Sequence, residues 1–256
     1  MAFINQTKIA KYYENTKQEI IFAHSQKSIK IQSVMGNIFT SSIGKKLIMS
    51  ITGLFLILFL LVHLFANSAY ILGPEAFDTI ILIMGSPVVV VMVPVLAAGF
   101  VVHILYATLL TLSNMKARGP EKYAVPHTGK TDSWSSKNMF VLGIIILGFL
   151  GFHLTHFWAK MQLQDFTGNE AENVNMLMNL TFGNIWIVVA YTIWFGALWF
   201  HLTHGFWSAF HTIGLNNSKW LSRWKFIAYV YATFIFLGFL TIAVTAYLRA
   251  NGLIDF

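Results

Sequence analysis

Histidine side chains occur in the most apolar parts of this sequence. Two nearly identical segments carry them in pairs, GFLGFHLTHFW at residues 148–158 and LWFHLTHGFW at residues 198–207. His63 and His103 lie singly in two further apolar stretches. Imidazole binds transition metals and transfers protons near neutral pH. An ionisable group in an apolar stretch is costly and usually marks function, so metal or proton chemistry is the first hypothesis. The alternative for any one of them is a hydrogen bond between packed helices.

Five apolar stretches supply the elements that would position these side chains. The 256 residues are 56% hydrophobic and 11% charged, whereas soluble domains carry about 25% charged residues. A helix of about 20 apolar residues crosses the hydrocarbon of a bilayer. We therefore predict an all-α integral membrane bundle of five transmembrane helices, at about residues 47–72, 88–113, 138–160, 184–212 and 225–249.

The basic residues predict the orientation of this bundle. Fifteen of the seventeen fall in residues 1–46 or in the loops after the second and fourth spans, which leaves Lys160 and Arg249 on the other side. Positively charged loops face the cytoplasm. We therefore predict a cytoplasmic N-terminal segment over residues 1–46, retained because it has no early apolar core, and a C-terminus outside a bacterial cytoplasmic membrane.

The remaining composition narrows the chemistry. Six of the ten acidic residues fall on the predicted outer side, so the net charge of +7 reflects a difference between two faces and gives no reason to expect nucleic-acid binding. The chain has no cysteine, which excludes a disulfide or a cysteine-ligated iron–sulfur cluster within it. Histidine is then the main supply of metal ligands.

Two histidines fall at a shallow depth on different spans. His63 lies eleven residues before Pro74, and His153 lies seven residues before Lys160. At 1.5 Å per residue, both lie about 10 to 16 Å below the outer boundary.

Two others fall at a deeper level. His103 lies seventeen residues after Ser86, and His204 lies twenty after Asn184, which places both about 25 to 30 Å below the outer boundary. Imidazoles from two helices at one depth can bind a haem iron from opposite faces of the ring. The pattern predicts two stacked haem b groups in a five-helix dihaem domain over residues 47–256.

Nearby residues are candidates for supporting roles. His156 and His201 lie three residues from a predicted ligand, about 60° around the helix, so both members of a pair cannot bind one iron. For these two we predict hydrogen bonding or packing, with ligation as the alternative. Solvent-exposed or propionate-binding roles are open for four residues nearer the cytoplasm: His211, Lys45, Lys46 and Lys219.

Glycines accompany the histidines at fixed spacings. Gly53 and Gly143 each lie ten residues before a predicted outer ligand, and Gly99 and Gly205 lie close to the predicted inner ligands. Glycine would allow a flat ring to approach the helices closely, and ordinary helix packing in lipid is the alternative.

These segments resemble one known family. The resemblance is to the cytochrome b membrane subunit of succinate:quinone oxidoreductases, the single-subunit, five-helix, two-haem type found in fumarate reductases and menaquinone-linked succinate dehydrogenases. It covers about residues 41–250 and is carried by TGLFLILFLLVHLF, GFVVHILYA, LGIIILGFLGFHLTHFW and HLTHGFWSAFHTIGLNN.

The resemblance implies specific ligands and partners. It implies that His63 and His153 bind the distal haem near the outer face, and that His103 and His204 bind the proximal haem near the cytoplasm. The implied partners are a flavoprotein subunit with FAD and an iron–sulfur subunit that docks on the cytoplasmic face, together with membrane lipid, a quinone such as menaquinone, and a second copy of the complex.

The quinone is expected near the distal haem. Three residues are candidates for proton handling there: His156, Glu75 and Asp78. Solvated loops are the alternative for the two acids.

The sequence also departs from the family pattern. Some relatives carry a glutamate two residues before the ligand that His204 matches, where this chain has Leu202, so the linked proton route is expected to be absent. The Gln and Trp that bind propionates in some relatives are not matched clearly by Met49, Ser50 or Trp134.

Two other functions remain open from the sequence. A different quinol-linked dihaem cytochrome b would keep the four histidines and change the soluble partner. A transporter or channel would need a continuous polar path or broken helices, whereas the acidic residues all lie outside the deep parts of the spans.

Overall fold

The structure is a computed structural model that describes residues 14, 16–28, 38–118 and 133–255. The chain divides into two compact units, Met1–Ile48 and Met49–Phe256. In the first unit, residues 16–28 are helical and exposed. The described part of the chain is all-α, with helices α1 (Ser42–Leu72), α2 (Pro74–Met84), α3 (Pro87–Arg118), α4 (Trp134–His153), α5 (Gln162–Thr167), α6 (Val174–Phe182), α7 (Ile185–Thr212) and α8 (Ser218–Ala250).

Five of these segments are long and apolar enough to cross a membrane, which confirms the predicted number. They are Ser42–Leu72, Pro87–Ala117, Trp134–Trp158, Ile185–Thr212 and Ser218–Ala250. Their outward surfaces carry many exposed apolar side chains, such as Leu58, Val91 and Ile144. Soluble proteins rarely expose so much contiguous apolar surface, so the chain is a multi-pass membrane protein.

Three helices, α1, α4 and α8, begin several residues before the predicted spans. The last helix begins at Ser218 rather than near residue 225, because the Asn217 side chain accepts hydrogen bonds from the backbone N–H groups of Lys219 and Trp220. Ser133 caps the start of α4 in the same way. Hydropathy detects only the apolar part of a helix, whereas the cap determines where the helix starts.

Short helices that were not predicted fill the connections at one end of the bundle. The helix α2 follows α1 after Gly73, whose φ of 128° favours glycine. The helices α5 and α6 lie between α4 and α7. Phe77 of α2 and Leu177 of α6 are buried, so these helices cover that end of the core. We call this end, where α1 and α8 finish, the outer side.

The centre of the core lies between α7 and α8. Small residues on α8, namely Ala228, Ala232 and Ala246, are completely buried. Small side chains allow two helices in lipid to approach closely. The α1 helix lies along α8, where Tyr231 Oη donates to the Ile57 carbonyl at 2.6 Å.

A contact between the first and last spans establishes their relative direction. The Arg249 guanidinium, at the end of α8, donates to the carbonyls of Tyr70 and Ile71, at the end of α1; the Ile71 bond is 3.0 Å. Both helices therefore end on the same side. A chain that crosses a membrane five times ends its first and fifth spans on the same side, which agrees with the predicted number of spans.

Candidate functional site

The rings of His63 and His153 face each other at the shallower level. Their centroids are 5.9 Å apart and their planes are nearly perpendicular, at 87°. His63 belongs to α1 and lies nine residues before that helix ends at Leu72. It stacks on Phe59 and contacts Phe239. The structure thus brings together the two histidines that were predicted to share the outer depth.

A change of helix type follows His153 directly. This residue is the last of α4, and a π-helical turn, Leu154–Trp158, continues the span. The Ala159 N–H donates to the Leu154 carbonyl at 2.8 Å, which closes the wider turn. Such single π turns occur frequently at functional sites because they re-aim the side chains around them. The His153 ring lies 5.6 Å from Trp194 and 5.3 Å from Phe157.

The deeper pair consists of His103 and His201. Their ring centroids are 6.5 Å apart, with 65° between the planes. Each lies sixteen residues after the first residue of its helix, Pro87 for α3 and Ile185 for α7. At 1.5 Å per residue both are about 24 Å from the outer helix ends.

His204, the predicted partner of His103, contacts a tryptophan. Its ring lies edge-on to Trp207, with centroids 5.0 Å apart, one helical turn beyond His201. The residue that faces His103 is therefore His201 and not His204. A depth count could have found this from sequence, since His201 lies seventeen residues after Asn184, the same number that separates His103 from Ser86.

The Thr52 hydroxyl lies beside one ring nitrogen of His103. Thr52 Oγ1 lies 3.3 Å from His103 Nδ1 and 3.1 Å from the Met49 carbonyl. The hydroxyl has one hydrogen, and the carbonyl can only accept. Both contacts form together when Thr52 donates to Met49 and His103 Nδ1–H donates to Thr52. The lone pair of His103 then resides on Nε2, the arrangement typical of metal-binding histidines.

His156 has an analogous internal partner. Its Nδ1 donates to the Phe152 carbonyl at 2.8 Å, and its ring lies 3.9 Å from that of Phe152. This is the hydrogen-bonding role expected for His156. Its Nε2 is then the ring nitrogen that can exchange a proton.

The candidate acids lie on the exposed outer surface. Glu75 is in the first turn of α2, and Asp78 lies one turn further. Asp78 accepts a hydrogen bond from Asn175 at 2.8 Å, a contact that links α2 to α6. Asp78 therefore helps to hold α2 against α6.

The inner ends of α7 and α8 carry the remaining candidates. His211 is exposed, and the Asn216 side chain contacts its ring. Lys219 is also exposed, in the first turn of α8. Two other cations lie over tryptophan rings, Lys225 over Trp207 at 4.8 Å and Arg223 over Trp220 at 5.0 Å. In the first unit, Lys45 and Lys46 lie in the early turns of α1.

The glycines fall into three environments. A Cβ on Gly53 would lie 3.4 Å from His103 Cε1, so this glycine touches the inner pair, although the sequence spacing linked it to His63. A Cβ on Gly99 would lie 2.7 Å from Phe55, and the one on Gly205 would lie 3.8 Å from Met139, which are helix-packing contacts. Gly143 has nothing within 4 Å of its Cβ position.

The two pairs have dimensions that fit bis-histidine haem ligation. Metal–nitrogen bonds of about 2 Å, plus about 1 Å from each nitrogen to its ring centre, would separate two axial imidazoles by about 6 Å. The observed separations are 5.9 and 6.5 Å. The ring atoms His153 Nδ1 and His201 Nδ1 are buried and lack hydrogen-bond partners in the described part of the chain.

The pairs are distinct sites. Across residues 14, 16–28, 38–118 and 133–255, no three histidine, aspartate or glutamate side chains come together. The α1 helix contacts both levels, at Thr52 and at His63. These residues are eleven positions apart, about 16 Å along α1.

Comparisons with known proteins add no relative to this description. No protein-family model, characterised protein or solved structure matches the chain.

Proposed function

We propose that this chain is the dihaem cytochrome b subunit of a succinate:quinone oxidoreductase. In this role it anchors the succinate dehydrogenase or fumarate reductase subunits to the membrane and carries electrons between their iron–sulfur subunit and the quinone pool. The observation that carries the proposal is the pair of opposed imidazole sets, His63 with His153 and His103 with His201, at two levels of the bundle.

The protein's own residues would position and insulate two haem b groups. His63 and His153 would bind the outer iron, and His103 and His201 would bind the inner one. Each bound haem supplies reversible one-electron reduction of its iron. Thr52 fixes the His103 ring so that Nε2 presents its lone pair. Apolar and aromatic neighbours, such as Phe59 and Phe239 around His63, exclude water from the outer pair.

The inner ends of the spans suit a soluble electron-transfer partner. Cations and exposed aromatic side chains lie together there, including Lys219, Trp220 and Arg223. Interface residues are enriched in tryptophan and arginine. We propose this face as the docking side for the iron–sulfur subunit, which in turn carries the FAD-containing subunit. Anionic lipid headgroups are the alternative occupant for the same cations.

The outer side suits quinone chemistry that releases or takes up protons. His156 is the residue best placed for this role, because its Nδ1 is held by the Phe152 carbonyl while its Nε2 remains able to exchange a proton. Menaquinone is the quinone that the resemblance favours.

The glutamate that is linked to transmembrane proton transfer in some members of that family has no counterpart before His201 or before His204. The residue two positions before His201 is Trp199, whose Nε1 donates to Thr233 at 3.0 Å. The residue two positions before His204 is Leu202. Neither side chain can carry a proton as a carboxylate would.

The proposal is tested by counting haem in the purified chain. We expect two low-spin b-type haems per polypeptide, measured from the reduced-minus-oxidised spectrum and the pyridine haemochrome. Folded protein that binds no haem under conditions of haem supply would refute the central proposal.

The partner subunits need a separate test. The chain, tagged and gently solubilised from its native membrane, should co-purify with a flavin-containing subunit and with succinate:quinone activity. Two haems without a flavin-containing partner would favour the alternative quinol-linked dihaem cytochrome.

A further inference from the structure

Two hydrogen-bond donors are buried beside His153. The Tyr191 side chain is 2% exposed, and its hydroxyl has no hydrogen-bond partner among the described residues. The indole Nε1 of Trp194 is also buried and also has no hydrogen-bond partner among the described residues. A buried donor that remains unpaired costs about 1 to 3 kcal/mol. Two such donors in one place therefore indicate a binding site for an acceptor.

Both donors belong to one face of α7. They are three residues apart, one helical turn, and their rings lie 5.6 Å from each other. The Trp194 ring is 5.6 Å from His153, and the Tyr191 ring is 6.3 Å from it. From the start of α7 at Ile185, these positions lie about 9 and 14 Å from the outer helix end. This is the level of the outer histidine pair.

The surroundings define what the donors would bind. Tyr191 and Trp194 are enclosed by aromatic rings, with Phe149 stacked on Trp194 at an interplanar angle of 16°. Phe152, Phe182 and Phe195 complete this wall around Tyr191. Phenol and indole present donors without a formal charge. A planar, largely apolar molecule with an oxygen acceptor at its edge matches this chemistry.

We propose that Tyr191 Oη and Trp194 Nε1 donate hydrogen bonds to an edge oxygen of a planar ligand bound beside His153. This inference rests on the proposed function, which supplies two molecules of that description, the outer haem with its carboxylates and the quinone with its carbonyls. Both place an oxygen acceptor on a flat ring. Loss of the donors would change the midpoint potential of the outer haem in the first case and the KM for quinol in the second.

The experiment uses the intact complex with Tyr191→Phe and Trp194→Phe. Each change removes one donor and retains an aromatic ring. The matched controls are Tyr229→Phe and Trp186→Phe, because these side chains are 50% and 75% exposed on the outside of the bundle. Two readouts are measured on each protein, the redox titration of both haems and the KM and kcat for a soluble quinol.

The two sources predict different results. If the acceptor is a haem carboxylate, the midpoint potential of the outer haem falls in both variants, because its negative charge is less well stabilised, and KM is unchanged. If the acceptor is a quinone carbonyl, KM rises about tenfold for each lost donor and the haem potentials are unchanged. The inner haem serves as an internal reference in both cases.

Other outcomes overturn the inference. If the wild-type complex binds two haems and both variants match their controls in every readout, the donors bind no ligand and only this inference fails. If the wild type binds no haem, the proposed function fails with it. Should Trp194→Phe not fold, Tyr191→Phe alone decides, since it differs from the wild type by one oxygen atom.

Discussion

The His103 ring faces the His201 ring at 6.5 Å, although a second histidine, His204, lies only one helical turn away. The separation matches that of two axial ligands on one iron. His204 instead contacts Trp207, and Lys225 Nζ lies 4.8 Å from the centroid of the same Trp207 ring. His201 is thus the candidate ligand, and His204, three residues further along α7, contacts Trp207 instead.

Replacing these two histidines separately should give different haem contents. We expect His201→Ala to reduce the haem content from two to one per polypeptide, because the proposed inner haem would lose one of its two histidine ligands. His204→Ala should retain two haems. Pyridine haemochrome on purified protein measures both. Retention of two haems in His201→Ala together with loss in His204→Ala would restore the pairing predicted from sequence.

Removing the Thr52 hydroxyl should weaken the inner site without emptying the outer one. Thr52→Val keeps the side-chain shape and deletes the hydroxyl that lies 3.3 Å from His103 Nδ1. Loss of such a supporting hydrogen bond typically costs about 10- to 100-fold in metal affinity. Haem loss during dilution in detergent should therefore accelerate for the inner haem only.

Thr108→Val is the matched control for Thr52→Val. Its hydroxyl bonds the Ile104 carbonyl within α3. Equal rates of haem loss in Thr52→Val and Thr108→Val would show that Thr52 does not support the His103 ring.

Enlarging Gly53 should displace the His103 ring. A Cβ there would already lie 3.4 Å from His103 Cε1, so the γ-methyl groups of Gly53→Val would occupy space used by the ring. We expect the inner haem to be lost and the outer one retained in the reduced-minus-oxidised spectrum. Gly148→Val, on an exposed part of α4 with nothing within 4 Å, should retain both. A Gly53→Val protein with an unchanged inner haem would contradict this placement.

Removing the Arg249 guanidinium should destabilise the bundle. Arg249→Met leaves the Tyr70 and Ile71 carbonyls at the end of α1 without their charged donor. Hydrogen bonds to charged groups contribute about 1.5 to 3 kcal/mol, and we expect a loss of this order in the free energy of unfolding. Reversible denaturation in mixed detergent measures it.

Lys160→Met provides the comparison for Arg249→Met. Its ion pair with Glu172, at 3.6 Å, is about half exposed. Exposed ion pairs contribute at most about 1 kcal/mol. An equal effect of the two substitutions would mean that Arg249 adds no more than a surface charge.

The number of spans and the outer histidine pair could be predicted from sequence because both depend on counting along single helices. A run of apolar residues fixes an approximate length, and its ends fix a depth for His63 and His153. Hydropathy could not place the starts of α1 and α8, since polar residues with good caps, such as those after Asn217, continue a helix beyond the hydrocarbon.

The partner of His103 depends on rotation as well as depth. His201 and His204 differ by only about 4.5 Å in depth and about 60° in direction. Which of them faces α3 is decided by how α7 packs on α4 and α8, where Leu202 and Phe206 are buried. The π-helical turn after His153 and the Thr52 contact also depend on neighbouring helices and leave no signature in the local sequence.

The capping of α1 by Arg249 has a consequence for how the protein is made. The final carbonyls of the first span receive their charged donor from the end of the last span, 178 residues later in the chain for Ile71. During synthesis α1 is made before α8, so the Tyr70 and Ile71 carbonyls lack the Arg249 donor until α8 has been inserted. The contact between Arg249 and the end of α1 therefore forms only in a molecule whose α8 helix has been inserted beside α1.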